Sequence, residues 1–175
     1  MNDFNVVMSF TFPVKKFDMT NDPDRDCSFH YWASRHHDSV RPIVQMYLEN
    51  ITHKFNLNLD KTPNYPRGLR SFLCEINVPG RGKGCFRHID SLSNASLMLA
   101  HEDIQHTYLI PNNIMLKENE DYMLFNMDNL EEKMEFICSN VDLCNQMRMS
   151  AHKKFLKGYC AKTTAKSFND FLLSN

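Results

Sequence analysis

Strand-length apolar runs alternate with helix-length segments through about residue 126 of this 175-residue chain, and this alternation most constrains its fold. The strand candidates are continuous apolar runs or runs that alternate apolar with polar residues, as buried and half-buried strands do. They cover residues 27–34, 54–60, 69–78, 96–102, 113–118 and 121–126. Helix-length segments stand at 40–51 and 85–95. The pattern predicts an α/β domain with a mostly parallel sheet.

The first helix candidate carries its own start signal and an apolar face. Asp38 and Ser39 precede it and are residue types that cap helices, and Pro42 is tolerable only in its first turn. Its apolar residues recur at helical spacing. They are Val40, Ile43, Val44, Tyr47, Leu48 and Ile51.

Helical patterns fill the chain from Asp128 onward, over 128–140, 141–159 and 161–175. We therefore predict a Rossmann-like, three-layer α/β domain over residues 26–175, with a mostly parallel sheet and a helical C-terminal tail. Residues 1–25 are predicted to be a lead-in segment and linker, because they end in the turn-rich, charged stretch "TNDPDRD".

Composition excludes several classes of protein. The hydrophobic fraction of 42% and charged fraction of 23% are ordinary for a globular protein, and a net charge of −1 gives no bulk attraction to nucleic acid or membranes. No stretch approaches the ~18 apolar residues of a membrane span, and the N-terminus does not resemble a signal peptide. We expect a cytoplasmic protein with no nucleic-acid partner and no transmembrane segment.

The six cysteines form no CxxC pair and match no zinc spacing. They are Cys27, Cys74, Cys85, Cys138, Cys144 and Cys160. In a reducing compartment they are expected to be free thiols, and no metal site is predicted from them.

The stretch 79–90, "PGRGKGCFRHID", gathers three of the five glycines of the chain between a predicted strand and a predicted helix. Ligands of parallel sheets bind at such turns, beyond the carboxyl ends of the strands. Gly80, Gly82 and Gly84 allow the main chain to approach a ligand closely. The stretch is neither a Walker A motif nor a clean GxGxxG, so alone it is also consistent with a solvated turn. Lys83 either keeps that turn soluble or screens a diphosphate.

Two charged residues on the following helix favour an anion site over a plain turn. Arg87 stands in the first turn, where free N–H groups and the positive end of the helix dipole attract phosphate. Its guanidinium can grip a phosphate bidentately. Asp90 follows three residues later on the same face, where its carboxylate can accept two hydrogen bonds from a ribose diol.

The histidines give weaker signals. His36 and His37, in "SRHHDS", are consistent with a solvated loop, a ligand contact or part of a metal site. His88 points about 100° away from Arg87 on the helix and is predicted to pack or to face solvent. His101 ends a strand and is the better candidate for a ligand contact.

Residues 65–103 resemble the C-terminal, donor-binding half of two-lobed (GT-B) glycosyltransferases of the "glycosyl transferases group 1" type. The family pattern is an apolar strand, a glycine-containing loop, "FR..EA...G", and a second apolar strand that ends in an acid. Here it reads "FLCEINVPGRGKGCFRHIDSLSNASLMLAHE". A looser likeness covers residues 26 to about 170.

The resemblance implies a nucleotide-diphosphate sugar as donor substrate and no further cofactor. It implies that Arg87 faces the donor diphosphate and is the catalytic candidate, since it would neutralise the leaving diphosphate without a metal ion. Asp90 takes the place of the family's ribose-binding glutamate. The other donor-binding residues that it implies are Gly80, Gly82, Gly84, His101 and Glu102. Lys83 is grouped with them because it is the residue of this loop that can screen a diphosphate.

The sequence departs from the family in two respects. "NASLML" has no glycine where the family has a small turn after its helix, and only about 25 residues precede the lobe. The predicted function is therefore a donor-binding lobe that needs a second lobe or chain for the acceptor, and is an enzyme only when so completed. Two alternatives stay open. One is a non-catalytic nucleotide-binding or protein-interaction module with this fold, and the other is a small-molecule-binding domain of another kind.

Overall fold

The structure is a computed structural model that describes residues 21–33, 40–79, 86–107, 109–110 and 114–158. Its helices are α1 (Arg41–Ile51), α2 (Phe86–Ser93), α3 (Leu130–Ser139) and α4 (Val141–Gly158). Its strands are β1 (Phe29–His30), β2 (Leu57–Asn58), β3 (Cys74–Asn77), β4 (Leu97–His101), β5 (Leu109–Ile110), β6 (Ile114–Met115) and β7 (Tyr122–Phe125). Short 3-10 helices cover Arg67–Ser71 and Glu102–Thr107.

Five of these strands form one sheet in the order β2-β1-β3-β4-β7, and every neighbouring pair is parallel. This is a doubly wound order, in which the direction of winding reverses between β1 and β3. The strands β5 and β6 form a separate antiparallel pair. The predicted Rossmann-like α/β fold with a mostly parallel sheet is confirmed.

Helices cover both faces of the sheet, which gives the predicted three layers. Successive residues of a strand point to opposite faces, and β4 shows this directly. Leu97 and Leu99 belong to a core with the apolar faces of α1 and α3, whereas Met98 and Ala100 belong to a second core with residues of α2 and α4. The predicted helical C-terminal region is present as α3 and α4, while 161–175 lies outside the described residues.

The first predicted helix begins one residue later than its sequence pattern suggests. It starts at Arg41, and its N-cap position is Val40, which makes no side-chain cap hydrogen bond. Pro42 lies in the first turn as expected, because its missing N–H is unused there. The predicted capping residues Asp38 and Ser39 lie outside the described residues.

The prediction of free cysteines is wrong for two of the six. Cys27 and Cys138 form a disulfide across 111 residues of sequence, with Cα atoms 5.1 Å apart. Spacing could not show this, because the fold alone brings the segment before β1 beside the end of α3. Cys74 and Cys144 are free and buried, and Cys85 and Cys160 lie outside the described residues. Disulfides are typical of oxidising compartments, so this pairing counts against the expected cytoplasmic location.

None of the described helices is long and apolar enough to cross a membrane.

A buried arginine ties the start of the described chain to the last helix. Arg148 of α4 is completely buried. Its guanidinium donates to the Asp22 carboxylate at 2.6 Å, to the Pro23 carbonyl at 2.6 Å and to Asn145 Oδ1 at 2.7 Å. Arg25 also binds Asp22, at 2.7 Å, so one carboxylate holds two arginines. Hydrogen bonds therefore satisfy two cations that the core would otherwise exclude.

Replacing Arg148 with alanine should destabilise the fold strongly, because the change removes these buried hydrogen bonds and leaves a cavity. We expect the free energy of unfolding to fall by about 3 kcal/mol or more in non-reducing urea titrations. Lys153→Ala, at an exposed position of the same helix, is the control and should change it by less than about 0.5 kcal/mol. Equal stability of the two variants would contradict this role for Arg148.

Candidate functional site

A polar area interrupts the apolar face of the sheet beside α2. In the strand register His30 of β1 pairs with Glu75 of β3, and Glu75 and Asn77 pair with Met98 and Ala100 of β4. Paired residues point to the same face of the sheet. On this face β4 therefore presents apolar side chains, whereas β1 and β3 present polar ones. All three polar side chains are fully buried. They lie at the reversal point between β1 and β3, where open α/β sheets bind their ligands.

His30 and Glu75 form a buried pair in this polar area. His30 Nδ1 lies 2.5 Å from Glu75 Oε2, and His30 Nε2 lies 3.1 Å from the carbonyl oxygen of Asp60. The second carboxyl oxygen of Glu75 has no hydrogen-bond partner in the described part of the chain. Burial raises the pKa of Glu75, and the nearby His30 and Arg87 partly offset this.

Arg87 lies in the first turn of α2, as predicted. Its side chain is buried, with only 7% exposed, and its Nη1 atom has no hydrogen-bond partner among residues 21–33, 40–79, 86–107, 109–110 and 114–158. No hydrogen bond or ion pair joins its guanidinium to another residue within the part of the chain that the structure describes. A buried cation without a bonded partner is costly. An anionic ligand that accepted from Nη1 would remove that cost.

Asp90, also on α2, is held by a tyrosine that the sequence did not indicate. The Tyr65 hydroxyl donates to Asp90 Oδ2 at 3.0 Å, while Asp90 Oδ1 has no hydrogen-bond partner among the described residues. Burial raises the pKa of Asp90, and the Tyr65 hydrogen bond and the Arg87 charge oppose the increase. Trp32 packs against Tyr65 with ring centroids 5.7 Å apart. One carboxylate oxygen is thus fixed and the other is available.

His101 ends β4 and Glu102 follows it, at the same edge of the sheet as the carboxyl end of β3. By strand alternation His101 points to the face opposite Glu75, and its ring stands edge-on to Phe125 at 5.3 Å. Glu102 is exposed, and its carboxylate accepts from Asn126 at 3.3 Å. Within the described ranges, no hydrogen bond or ion pair links His101 or Glu102 to Arg87 or Asp90.

The predicted glycine loop stands between β3 and α2 in the sequence. The residues proposed from it, Gly80, Gly82, Lys83 and Gly84, lie outside the described residues and remain predictions. His36 and His37 also lie outside the described residues, so their three interpretations stay open.

Sequence reasoning missed His30, Glu75 and Tyr65. A signal existed for two of them, because a strand buried on both faces excludes an unpartnered charge. Glu75 interrupts the apolar run "FLCEINV", and His30 interrupts the aromatic run "SFHYW". Neither run identifies the partner. Tyr65 gave no signal, since its contact with Asp90 spans a loop and a strand.

The sequence matches no protein-family model and no curated protein. Solved structures with a similar fold include glycosyltransferases. S. aureus TarM matches with a TM-score of 0.59 at 11% identity, over 85% of this chain and 36% of TarM. HepE of Anabaena, solved with UDP-glucose, matches with a TM-score of 0.57 at 8% identity, over 90% of this chain and 43% of HepE.

A glycosyltransferase from Rickettsia africae matches with a TM-score of 0.53 at 11% identity, over 86% of this chain and 48% of that enzyme. The chain therefore spans less than half of each of these three structures. At such identities the likeness establishes the fold alone, which these structures share over part of their length.

His88, beside Arg87 on α2, should make stability depend on pH. It is buried, which agrees with the packing interpretation, and desolvation lowers its pKa from 6.5 to about 4. Between pH 6.5 and about pH 4, His88 binds a proton in the unfolded chain but not in the folded chain. The free energy of unfolding should therefore fall as the pH drops from about 6.5 to about 4, by about 3 kcal/mol from this residue.

The measurement is urea unfolding at several pH values for wild type and His88→Gln. The difference between their free energies of unfolding should change with pH as described. His53→Gln, at an exposed position, is the control and should follow the wild type. A His88→Gln profile parallel to that of the wild type would show that His88 titrates normally.

Proposed function

We propose that this chain is the donor-binding lobe of a glycosyltransferase. In this proposal it binds a nucleotide-diphosphate sugar and supports glycosyl transfer, and a second lobe or chain binds the acceptor. The observation that carries the proposal is the buried guanidinium of Arg87, whose Nη1 has no hydrogen-bond partner among the described residues, beside the reversal point of a doubly wound sheet. The fold supports it, since neighbours with this fold were solved with UDP or UDP-glucose.

Arg87 would bind the donor diphosphate. It lies in the first turn of α2. The N-terminal end of a helix attracts anions through its N–H groups and its dipole. Negative charge builds on the diphosphate as the sugar leaves, and a preorganised cation in a buried site stabilises that charge strongly. This makes Arg87 the proposed catalytic residue, and the proposal needs no metal ion.

Asp90 would bind the ribose of the donor. Tyr65 occupies Oδ2 of this carboxylate and thereby fixes its orientation. Oδ1 then remains to accept from the ribose hydroxyls. Lys83 and the glycines of the 80–84 loop would border the phosphates, and His101 and Glu102 would face the sugar from the end of β4.

The acceptor lobe is proposed because this chain spans only 36% to 48% of three of the structures with the same fold. The need for a second lobe can be tested by mixing the chain with a partner that copurifies with it. Sugar transfer from a radiolabelled nucleotide sugar is then assayed. Sugar transfer by the pair alone supports the divided enzyme. Donor binding without transfer in the presence of every copurifying partner supports a non-catalytic module.

The first test of donor binding is calorimetric titration of the chain with UDP, GDP and ADP. Arg87→Ala should weaken binding of the preferred nucleotide roughly 10-fold or more, because a charge-assisted hydrogen bond contributes ~1.5–3 kcal/mol. Lys153→Ala removes one exposed positive charge and is the matched control, with affinity close to wild type. The proposed site would be contradicted if none of the three nucleotides bound at millimolar concentration. An unchanged affinity in Arg87→Ala would also contradict it.

The second test concerns the ribose. The wild type should bind the preferred nucleotide more tightly than its 2′-deoxy form by roughly 10-fold, since a hydroxyl bonded to a carboxylate is then missing. Asp90→Ala should bind the two forms equally, whereas Glu135→Ala, at an exposed site on α3, should keep the preference. A preference that survives in Asp90→Ala would remove Asp90 from the ribose site.

A further inference from the structure

The His30–Glu75 pair holds a proton that its geometry makes difficult to remove. His30 Nδ1 faces a carboxylate oxygen at 2.5 Å, and its Nε2 faces the Asp60 carbonyl at 3.1 Å. Both oxygens are acceptors, so both contacts need a hydrogen between their atoms. A neutral imidazole supplies one hydrogen only. The second is the extra proton, carried by His30 or by Glu75.

Loss of that proton changes the charge of the pair from zero to −1 inside the core. Glu75 is fully buried, and its Oε1 has no hydrogen-bond partner among the described residues. Among the described residues no hydrogen bond would therefore disperse the new charge on Oε1, and Arg87 is the nearby cation that offsets part of it. Burial accordingly raises the pKa of Glu75.

Several charged or titratable groups face this pair. Arg87 and Asp90 face it from α2, and Tyr65 faces it from the loop before β3, with its ring centroid 6.5 Å from that of His30. Tyr31 and Cys74 also feel the charge of Glu75. His88 has a pKa lowered to about 4, so it stays neutral above pH 6. Arg87 is thus the cation shared by this pair and by the proposed phosphate site.

We propose that the His30–Glu75 pair couples binding of a nucleotide diphosphate at Arg87 to the uptake of a proton. The proposal rests on the proposed function of Arg87. Asn77 of β3 donates to Ser91 Oγ at 3.0 Å, and Ser91 donates to the Arg87 carbonyl at 2.9 Å, so the start of α2 is bonded to the strand that carries Glu75. A diphosphate at Arg87 therefore adds negative charge near a buried carboxylate, and like charges favour the protonated form. By linkage, the protonated pair then binds the diphosphate more tightly.

The direction of the pH effect follows from this coupling. At low pH the pair holds its proton with or without ligand, so affinity is constant. As the pH rises, the pair loses its proton in the free protein before it loses it in the complex. Over that range the protein must take up a proton when the ligand binds. Affinity should then fall by about tenfold per pH unit until the complex also loses its proton.

The experiment is calorimetry of the full chain with UDP-glucose between about pH 6 and pH 9, in buffers of different ionisation enthalpy. The diphosphate of UDP-glucose is a diester with constant charge over this range, so it takes up no proton itself. We expect a net uptake that rises towards about one proton as affinity falls. If UDP-glucose binds but no proton is taken up at any pH in this range, the coupling is overturned and the proposed function stands. Absence of binding at every pH would contradict the proposed function itself.

Glu75→Gln identifies the group responsible. It removes the acid and keeps the shape, so proton uptake should disappear and affinity should vary less than about twofold with pH. Glu135→Gln removes the same charge from an exposed site and should behave as wild type. Uptake that persists in Glu75→Gln but vanishes in Asp90→Asn would assign the proton to Asp90 and refute the proposal. If Glu75→Gln does not fold, the wild-type measurement in different buffers still decides whether uptake occurs.

Discussion

The rest of the structure depends on a parallel sheet that helices cover on both faces. Water reaches neither face, so each side chain on a strand must be apolar or must find a partner inside the protein. On β4 both faces are apolar, and Leu99 and Met98 enter separate cores. On β1 and β3 one face is polar, and there His30 and Glu75 must pair with each other. The same constraint thus builds the core and the polar base of the candidate site.

Arg87 and Arg148 show two outcomes for a buried arginine in one domain. Arg148 is bonded to Asp22, to Asn145 and to carbonyl groups, and it fastens the N-terminal segment to α4. Arg87 is almost as buried, yet no residue in the described part of the chain bonds to its Nη1 donor. A fold gains stability from the first arrangement, whereas the second is the arrangement expected where a ligand completes the hydrogen bonding. This contrast locates the candidate site more sharply than the glycine loop does.

Local patterns predicted most of the elements and part of the site. The apolar period of α1 and the acids in the first turn of α3 appear where the sequence indicated them. Arg87 and Asp90 could be placed together because residues three apart share a helix face. The residues that contact them could not be predicted. Tyr65, for example, is 25 residues from Asp90 in sequence, and a local pattern cannot indicate such a contact. The Cys27–Cys138 disulfide escaped prediction for the same reason.

The sequence by itself determined the α/β class, the strand–loop–helix unit around residues 74–93 and the charged pair on α2, because these follow from spacing and residue type within short windows. Only the tertiary structure decided the strand order β2-β1-β3-β4-β7, which sets β1 beside β3. That adjacency brings His30 to Glu75. Contacts between distant segments depend on how whole elements pack, and packing is a property of the complete chain rather than of any window in it.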